Sequence, residues 1–356
     1  WPSPFKLDRV EGRFRDLGTR PVEQAHDVLD QHIGDLLSSK SDAVRGATAE
    51  AISKLNYGNA AERLTRLAND NSLAAAIRAS AVEALHSIDA DGADEAVAAA
   101  LKAESPELRA TAVRILAKRN PDAGELMASL QAGLKSDHLR EQQNALGVLG
   151  SLKSLEAVSL LEAQTRRLAK GTAPATLHLD ILEAAKANGS SSLAKFAADH
   201  EATRAKLAPA DSYSETFEGG DAAIGESIFR TSFTAQCIRC HKVGQVGGDV
   251  GPNLNGLAKR LDSRAMLESL IDPQAQISDG YGLITFTLKD GKVVTGIIEK
   301  KSAGFMSIKD PAGNRSLVKV ADIKSRSKLL SSMPPMTGIL SPRDLRDMIA
   351  YLKTLK

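Results

Sequence analysis

Apolar residues recur with a helical period through the first 205 residues of the chain. Five stretches share one pattern, in which small and apolar residues follow a basic or polar start at i, i+3 and i+4, as in an amphipathic helix. The stretches end at Ile52, Leu85, Leu116, Leu149 and Ala185, with spacings of 33, 31, 33 and 36 residues. Second helical patterns lie between them, for example over 93–103 and 123–134, and short breaks occur at 120–123 and 136–138. This period predicts an α-solenoid, in which each helix pair buries its apolar face by stacking on its neighbours.

The repeats resemble short HEAT repeats. This is an assignment to a class of repeat, since the signatures of tetratricopeptide and ankyrin repeats are absent. We therefore predict a HEAT-like helical repeat domain over 1–205, with an irregular helical domain as the alternative. The following segment, 206–220, reads "KLAPADSYSETFEGG" and has no apolar period. Its proline, serine and glycine content predicts a linker.

Helical signals return after the linker. Asp221 is a suitable N-cap for a helix with Ile224, Ile228 and Phe229 on one face. A second helix is expected over 263–271.

The last helix is expected over 341–356. Ser341 stands in its N-cap position, Pro342 at the first helical position and Asp344 in the first turn.

The hydrophobic period changes from helical to alternating between these helices. Two β-rich runs flank Asp290 and Gly291 within 283–300, and two more flank the residues "DPAGN" within 304–320. Asp-Gly between such runs is a strong hairpin signal. We predict about four short antiparallel strands in a β insert that covers about 281–330.

Composition excludes several classes of protein. Charged residues are 25% of the chain, hydrophobic residues 42%, and the formal net charge is +2, which is too balanced to indicate a nucleic-acid-binding protein. No apolar run is long enough to span a membrane. Phosphate-loop, nucleophile-elbow and H-E-x-x-H signatures are absent. The chain begins at Trp1 without a signal-type apolar run, so we expect a processed or trimmed piece of a longer protein.

The two cysteines of the chain lie three residues apart in "CIRCH". Cys237, Cys240 and His241 form C-x-x-C-H, the pattern of c-type haem attachment, in which two thiols on one helical turn form thioethers and the histidine binds the iron. A disulfide, a thioredoxin-like redox motif and a zinc site are the alternatives. A disulfide ring of this size is tight and usually redox-active, and the redox motif needs a βαβ setting, which does not surround residues 237–240. A zinc site needs four ligands, and the chain has no second pair of cysteines.

The segment "GPNLNGLAKR" (251–260) strengthens the haem interpretation. It resembles the loop that follows the haem motif in class I cytochromes c. The resemblance implies that the Pro252 carbonyl accepts a hydrogen bond from His241 Nδ1, that Leu254 packs on the haem edge and that Arg260 lies near a propionate.

The two terminal helices of this part resemble those of the same family. Gly225 and Phe229 match its first helix and Tyr351 its last, so we expect Tyr351 to cross near Gly225.

The sixth iron ligand is expected from the segment "SSMPPMTGILSP" (331–342). It resembles the methionine loop of the same family, which implies Met333 as the ligand, with Met336 as the fallback. The long β insert ahead of this loop departs from small cytochromes c. Together with the upstream repeats, it resembles the planctomycete/verrucomicrobial-type haem-binding domain family. The resemblance covers roughly 215–356 closely and 40–205 only in kind, and members often carry an upstream sugar-dehydrogenase-like propeller, which is absent from these residues.

The expected architecture is therefore mainly α: a HEAT-like solenoid, then a monohaem class I cytochrome c domain over 221–356 with a small antiparallel β insert. The expected function is one-electron transfer by one covalent haem c with His241 and Met333 as ligands, to or from a redox partner or an upstream dehydrogenase domain. We expect no nucleic-acid partner, no membrane span, no catalysis by the chain alone and, because thioether attachment takes place outside the cytoplasm, a periplasmic or otherwise exported protein. A haem-based sensor and a binding scaffold with a structural haem are the alternatives.

Two further groups of residues have ordinary explanations. The six other histidines are expected to be surface or structural residues, namely His26, His32, His86, His138, His178 and His200. Basic residues on or beside the insert either protect a strand edge or form a docking face for an acidic partner, namely Arg315, Lys319, Lys324, Arg326 and Lys328.

Overall fold

The computed structural model describes residues 7–8, 13–14, 21–119, 124–310 and 314–356. The described chain is mainly helical and carries a small antiparallel sheet, which confirms the predicted fold class at this level. The predicted break at 120–123 lies outside the described residues, as does the centre of the predicted turn, 311–313. None of the described helices combines the length and the apolar character that crossing a membrane requires.

The N-terminal part contains one short strand pair and a series of helices. Strands β1 (Leu7–Asp8) and β2 (Arg13–Phe14) are antiparallel. The helices are α1 (Val22–Leu37), α2 (Asp42–Leu55), α3 (Ala61–Asn69), α4 (Ala75–Ser87), α5 (Ala93–Leu101), α6 (Pro106–Arg119), α7 (Gly124–Leu134), α8 (Leu139–Ser151), α9 (Leu155–Ala169), α10 (His178–Asn188) and α11 (Ser191–Arg204). The five predicted apolar stretches fall within α2, α4, α6, α8 and α10, which confirms them as helices.

The even-numbered helices pack in sequence order. Helix α2 contacts α4, α4 contacts α6, and α6 contacts α8. Ile52, Leu85 and Leu149, which end three of the repeated stretches, have no exposed surface. The apolar face that the sequence repeats is therefore the face that these helices bury.

One position of the repeat makes the same kind of hydrogen bond five times. It lies seven residues before the end of each stretch, and its side chain donates to a backbone carbonyl in the last turn of the preceding α-helix or up to four residues beyond it. The pairs are Arg45–Ser39 (2.6 Å), Arg78–Ala68 (3.0 Å), Arg109–Ala103 (2.7 Å), Gln142–Ser136 (2.7 Å) and His178–Ala173 (3.0 Å). Carbonyls at a helix C-terminus have no partner within the helix, so each side chain satisfies a group that would otherwise need water.

The chain divides into two compact units. One consists of 1–163 with 183–193, the other of 164–182 with 194–356. The predicted boundary was the linker at 206–220. The observed division differs because residues 164–182 form ion pairs with the C-terminal helix. The side chain of Asp180 is fully buried and pairs with Arg346 (2.7 Å) and Arg343 (3.3 Å). Removing one partner of such a buried pair leaves an uncompensated charge.

The segment predicted as a linker is partly buried in the second unit. It contains a short 3₁₀-helix, Asp211–Thr216, and Ala210 and Thr216 are 1% and 0% exposed. Buried Glu215 pairs with Arg204, which also donates to Ser212 O (2.6 Å). The segment therefore packs as part of the core of this unit.

Four more helices follow: α12 (Ala222–Thr231), α13 (Cys237–Cys240), α14 (Ser263–Ile271) and α15 (Pro342–Leu352). The predicted caps are confirmed. Asp221 accepts from the backbone of Ala223 (2.7 Å), and Ser341 and Asp344 form a reciprocal capping box.

Helices α12 and α15 cross in close contact at Gly225. A Cβ at this position would overlap the carbonyl group of Asp347 and lie 2.8 Å from Cβ of Tyr351. The predicted proximity of Tyr351 and Gly225 is therefore confirmed, and Phe229 packs against Tyr351 with ring centroids 5.6 Å apart. Only glycine permits the two backbones to approach this closely.

The β insert forms an antiparallel sheet with its own small core. Its strands are β5 (Gly282–Leu288), β6 (Val293–Ser302), β7 (Phe305–Lys309), β8 (Arg315–Lys319), β9 (Ile323–Arg326) and β10 (Leu330–Ser331), and a separate short pair, β3 (Lys242–Val243) and β4 (Val246–Gly247), follows the cysteines. The order is β10-β5-β6-β7-β8, and β9 also pairs with β5. The four predicted strands, β5 to β8, are confirmed; β9 and β10 were not predicted.

We expect Gly225→Ala to destabilise the second unit by about 3 kcal/mol, because the added methyl group meets backbone atoms that cannot move aside. The gain in helix propensity, about 1 kcal/mol, is smaller. Urea unfolding monitored by far-UV circular dichroism measures the effect. Gly338→Ala is the control, since no heavy atom lies within 4 Å of its added Cβ. Equal stability of the two variants would contradict the close crossing.

Candidate functional site

The two cysteines and the histidine lie on one helical turn and its exit. Helix α13 consists only of Cys237–Cys240, and Gln236 before it adopts a left-handed conformation with φ 48°. The His241 N–H donates to Cys237 O at 2.8 Å, so the turn closes on the histidine. Both cysteines are free thiols; Cys237 is half-buried and Cys240 is exposed. The turn therefore presents two thiols and an imidazole together.

The loop after this turn wraps closely around its backbone. Gly248 N donates to Ile238 O (3.0 Å), and Gly251 N donates to Cys240 O (2.8 Å). A Cβ at Gly248 would overlap the carbonyl of Arg239. The glycines that follow the cysteines thus permit a close backbone approach, which holds the turn in place.

The imidazole of His241 is held by its Nδ1 atom. Nδ1 lies 2.9 Å from Pro252 O, as the family resemblance implied. A carbonyl only accepts, so Nδ1 carries the proton and Nε2 carries the lone pair. In the part of the chain that the structure describes, Nε2 makes no hydrogen bond. Gly251 packs on the ring, because a Cβ there would lie 2.7 Å from Cε1.

Burial shifts the pKa values of His241 and Cys237 in opposite directions. It lowers the pKa of His241, against the opposing effect of the Pro252 hydrogen bond, and so favours the neutral imidazole that can bind a metal. Burial also raises the pKa of the Cys237 thiol. A redox-active or nucleophilic cysteine needs a lowered pKa, so this environment does not favour the thioredoxin-like alternative.

A cavity of about 280 Å³, measured as the volume open to the centre of a water molecule, adjoins this turn. One water needs roughly 10–15 Å³ on this measure, so the cavity is far larger than a packing defect. The structure brings all seven predicted site residues to its wall, namely Cys237, Cys240, His241, Pro252, Leu254, Arg260 and Met333. Its apolar wall includes Phe229, Leu257, Met266, Leu270, Met348 and Leu352.

Two methionines reach this cavity from the loop ahead of α15. Met333 is half-buried, whereas Met336 is 3% exposed and belongs to the hydrophobic core. Met336 also begins a short 3₁₀-helix, Met336–Gly338. Met336 therefore has a packing role of its own, and Met333 is the methionine with less core contact.

Arg260 is exposed and holds the loop that carries Pro252. Its guanidinium donates to Asn253 O (3.1 Å) and Asn255 O (3.3 Å). Asn255 in turn accepts from Gly244 N (2.6 Å), which links this loop to the β3–β4 turn. Arg260 thus has a structural role that the sequence did not predict.

The sequence reasoning missed several side chains of the cavity wall. Met266 and Leu270 lie on the predicted helix α14, but the prediction of this helix did not indicate a cavity. Tyr281 lies at the start of the insert and had no signal. Outside this wall, Gln274 was also missed; its side chain pairs with the backbone of Ser331, 57 residues later.

Comparison with known proteins adds no relative: neither a protein-family model nor a curated protein matches this chain. Within the described ranges, no three His, Cys, Asp or Glu side chains are grouped so that they could hold a metal ion. The candidate site is therefore defined by the C-x-x-C-H turn and the cavity beside it.

We expect Gly251→Ala to displace the His241 ring, since the new methyl group would lie within 3.0 Å of three ring atoms. The hydrogen bond between His241 Nδ1 and Pro252 O should break. The Nδ1–H resonance of His241 in NMR spectra of the protein as purified, with any bound group in place, measures this loss, because a proton without that acceptor exchanges faster with water. An unchanged ring environment would contradict the contact.

Proposed function

We propose that this chain binds one covalent haem c and transfers single electrons through it. The observation that carries the proposal is the arrangement of His241: its Nδ1 is held by Pro252, its Nε2 is unbonded in the described part of the chain, and it lies with two free thiols on the wall of an apolar cavity. A neutral imidazole with a fixed tautomer suits an iron ligand.

The side chains of the wall fit such a group. Cys237 and Cys240 would hold the porphyrin through two thioethers, and His241 Nε2 and Met333 Sδ would bind its iron. When bound, the haem supplies an iron that alternates between the ferric and ferrous states. Arg260 is the cation on the cavity wall that suits a propionate, and Leu254 contributes apolar surface.

The residues of the chain tune this chemistry. Pro252 orients the imidazole and increases its basicity by accepting its proton in a hydrogen bond. A thioether is a soft, weak ligand that favours the ferrous state and raises the reduction potential. Phe229, Met348 and Leu352 exclude water from the cavity wall, which lowers the local dielectric and also favours the less charged ferrous site.

The proposal extends to the architecture. We assign 1–205 to a HEAT-like solenoid and 221–356 to a class I cytochrome c domain of the planctomycete/verrucomicrobial type with a β insert. The carbonyl-binding position that recurs in five successive repeats supports the first assignment, because a shared structural role is typical of repeated units. The crossing at Gly225 supports the second.

The proposed role needs a partner. The chain would pass electrons between a dehydrogenase, as a separate protein or an upstream domain, and an acceptor, and it would not itself be an enzyme. Thioether attachment takes place outside the cytoplasm, so we propose a periplasmic or otherwise exported location. A scaffold with a merely structural haem is distinguished by its failure to be reduced by any physiological donor.

The proposal is tested by producing the chain in a host that attaches c-type haem. Wild-type protein should keep its colour after acid-acetone extraction, and its intact mass should include one haem. Cys237→Ala with Cys240→Ala should lose both and leave the C-terminal unit largely unfolded, because its small helices would then surround an empty cavity. A wild-type mass without the macrocycle, or a stably folded double variant, would contradict it.

The two methionines should give opposite phenotypes. Met333→Ala should remove the weak red sulfur-to-iron band of the ferric protein with little loss of stability. Met336→Ala should keep the band but destabilise the protein by about 3 kcal/mol, because its side chain is core. Ferric absorption spectra and urea unfolding measure the two effects. The reverse pattern would assign the ligand to Met336, and a high-spin wild type that binds carbon monoxide would favour a sensor.

A further inference from the structure

We propose that Gln274 is a positioning residue for the iron ligand Met333, through a clamp on the backbone of Ser331. This inference rests on the proposed haem function. The β insert of about 281–330 precedes Met333 in the chain, so the position of Met333 at the cavity depends on where the chain leaves this insert.

The two ends of the insert meet in a very short ladder. Strand β10 pairs with the start of β5 through only two residue pairs, Leu330 with Leu283 and Ser331 with Gly282. A ladder of two pairs is weak on its own, and closing a long loop costs conformational entropy. Strand β9, just upstream of β10, also pairs with β5 and keeps the returning chain in register. A further contact at Ser331 would fix the direction in which the chain leaves the sheet towards Met333.

The side-chain amide of Gln274 supplies this contact. Its Oε1 accepts from Ser331 N at 2.9 Å, and its Nε2 donates to Ser331 O at 3.2 Å. The amide thus bonds both backbone groups of one residue, as a neighbouring strand would. Ser331 is therefore held on one side by strand β5 and on the other by a side chain.

Gln274 is itself anchored outside the insert. It lies three residues beyond the end of α14, its backbone N–H donates to Asp272 Oδ1 (3.2 Å), and Pro273 between them is buried. Helix α14 carries Leu267, which is fully buried in the core of the unit. The clamp therefore ties the returning chain to the helix that forms part of the cavity wall.

The clamp continues from Ser331 to the ligand. The Met333 N–H donates to Ser331 Oγ at 3.2 Å, so the same residue sets the direction in which the chain enters Met333. A thioether binds iron weakly, so its occupancy is sensitive to how well the loop is preorganised. Loss of the clamp should release Met333 without removing any ligand atom.

The test uses the full-length, haem-loaded chain and imidazole as a competing iron ligand. Gln274→Ala should weaken the red sulfur-to-iron band and lower the imidazole Kd about tenfold, the change expected from two lost hydrogen bonds. Amide exchange of a peptide spanning 331–333 should accelerate by a similar factor. Asp279→Ala is the control: it removes a polar side chain from the same connection between α14 and β5. Asp279 is exposed, lies outside the cavity wall and makes no side-chain hydrogen bond among the described residues.

The outcomes separate this inference from the function on which it rests. Wild-type protein without covalent haem or without the red band would overturn the proposed ligation itself. A wild type with the band, and equal band intensity and Kd in Gln274→Ala and Asp279→Ala, would overturn only the role of Gln274. If Gln274→Ala fails to take up haem, Gln274→Glu is the variant to use, because it keeps the acceptor for Ser331 N and loses the donor to Ser331 O. An imidazole Kd below that of wild type but above that of Met333→Ala supports the clamp. A wild-type Kd contradicts it.

Discussion

The close crossing of two helices at Gly225 is the constraint on which the candidate site depends. Helix α12 leads directly into the C-x-x-C-H turn, and helix α15 follows directly after the methionine loop. The backbones of these helices touch at Gly225, where there is no side chain between them. This contact therefore fixes the C-x-x-C-H turn and the methionine loop relative to each other. The cavity lies beside this crossing, and Phe229 and Met348 belong both to the crossing helices and to its wall.

Sequence reasoning succeeded where the determining contacts are local. The cap residues Asp221 and Ser341, the Asp290-Gly291 hairpin and the helical period of the repeats each depend on neighbours a few residues away. The His241–Pro252 hydrogen bond was expected only through a family resemblance, because nothing in a spacing of eleven residues requires it.

The remaining features depend on contacts between distant parts of the chain. Asp180 pairs with Arg346, 166 residues later, which draws residues 164–182 into the second unit although their helical period continues the repeats. Gln274 pairs with Ser331 in the same nonlocal way. A polar residue in a loop has no period, so its partner can only be found in three dimensions.

The paired ends of the β insert have a consequence for how this chain tolerates change. Gly282 and Ser331 are neighbours in the sheet, so everything between them begins and ends at one place. Segments whose ends coincide can be lengthened, shortened or exchanged without stretching the surrounding structure. The length of the insert can therefore change without changing the distance between helix α14 in the cavity wall and the methionine loop.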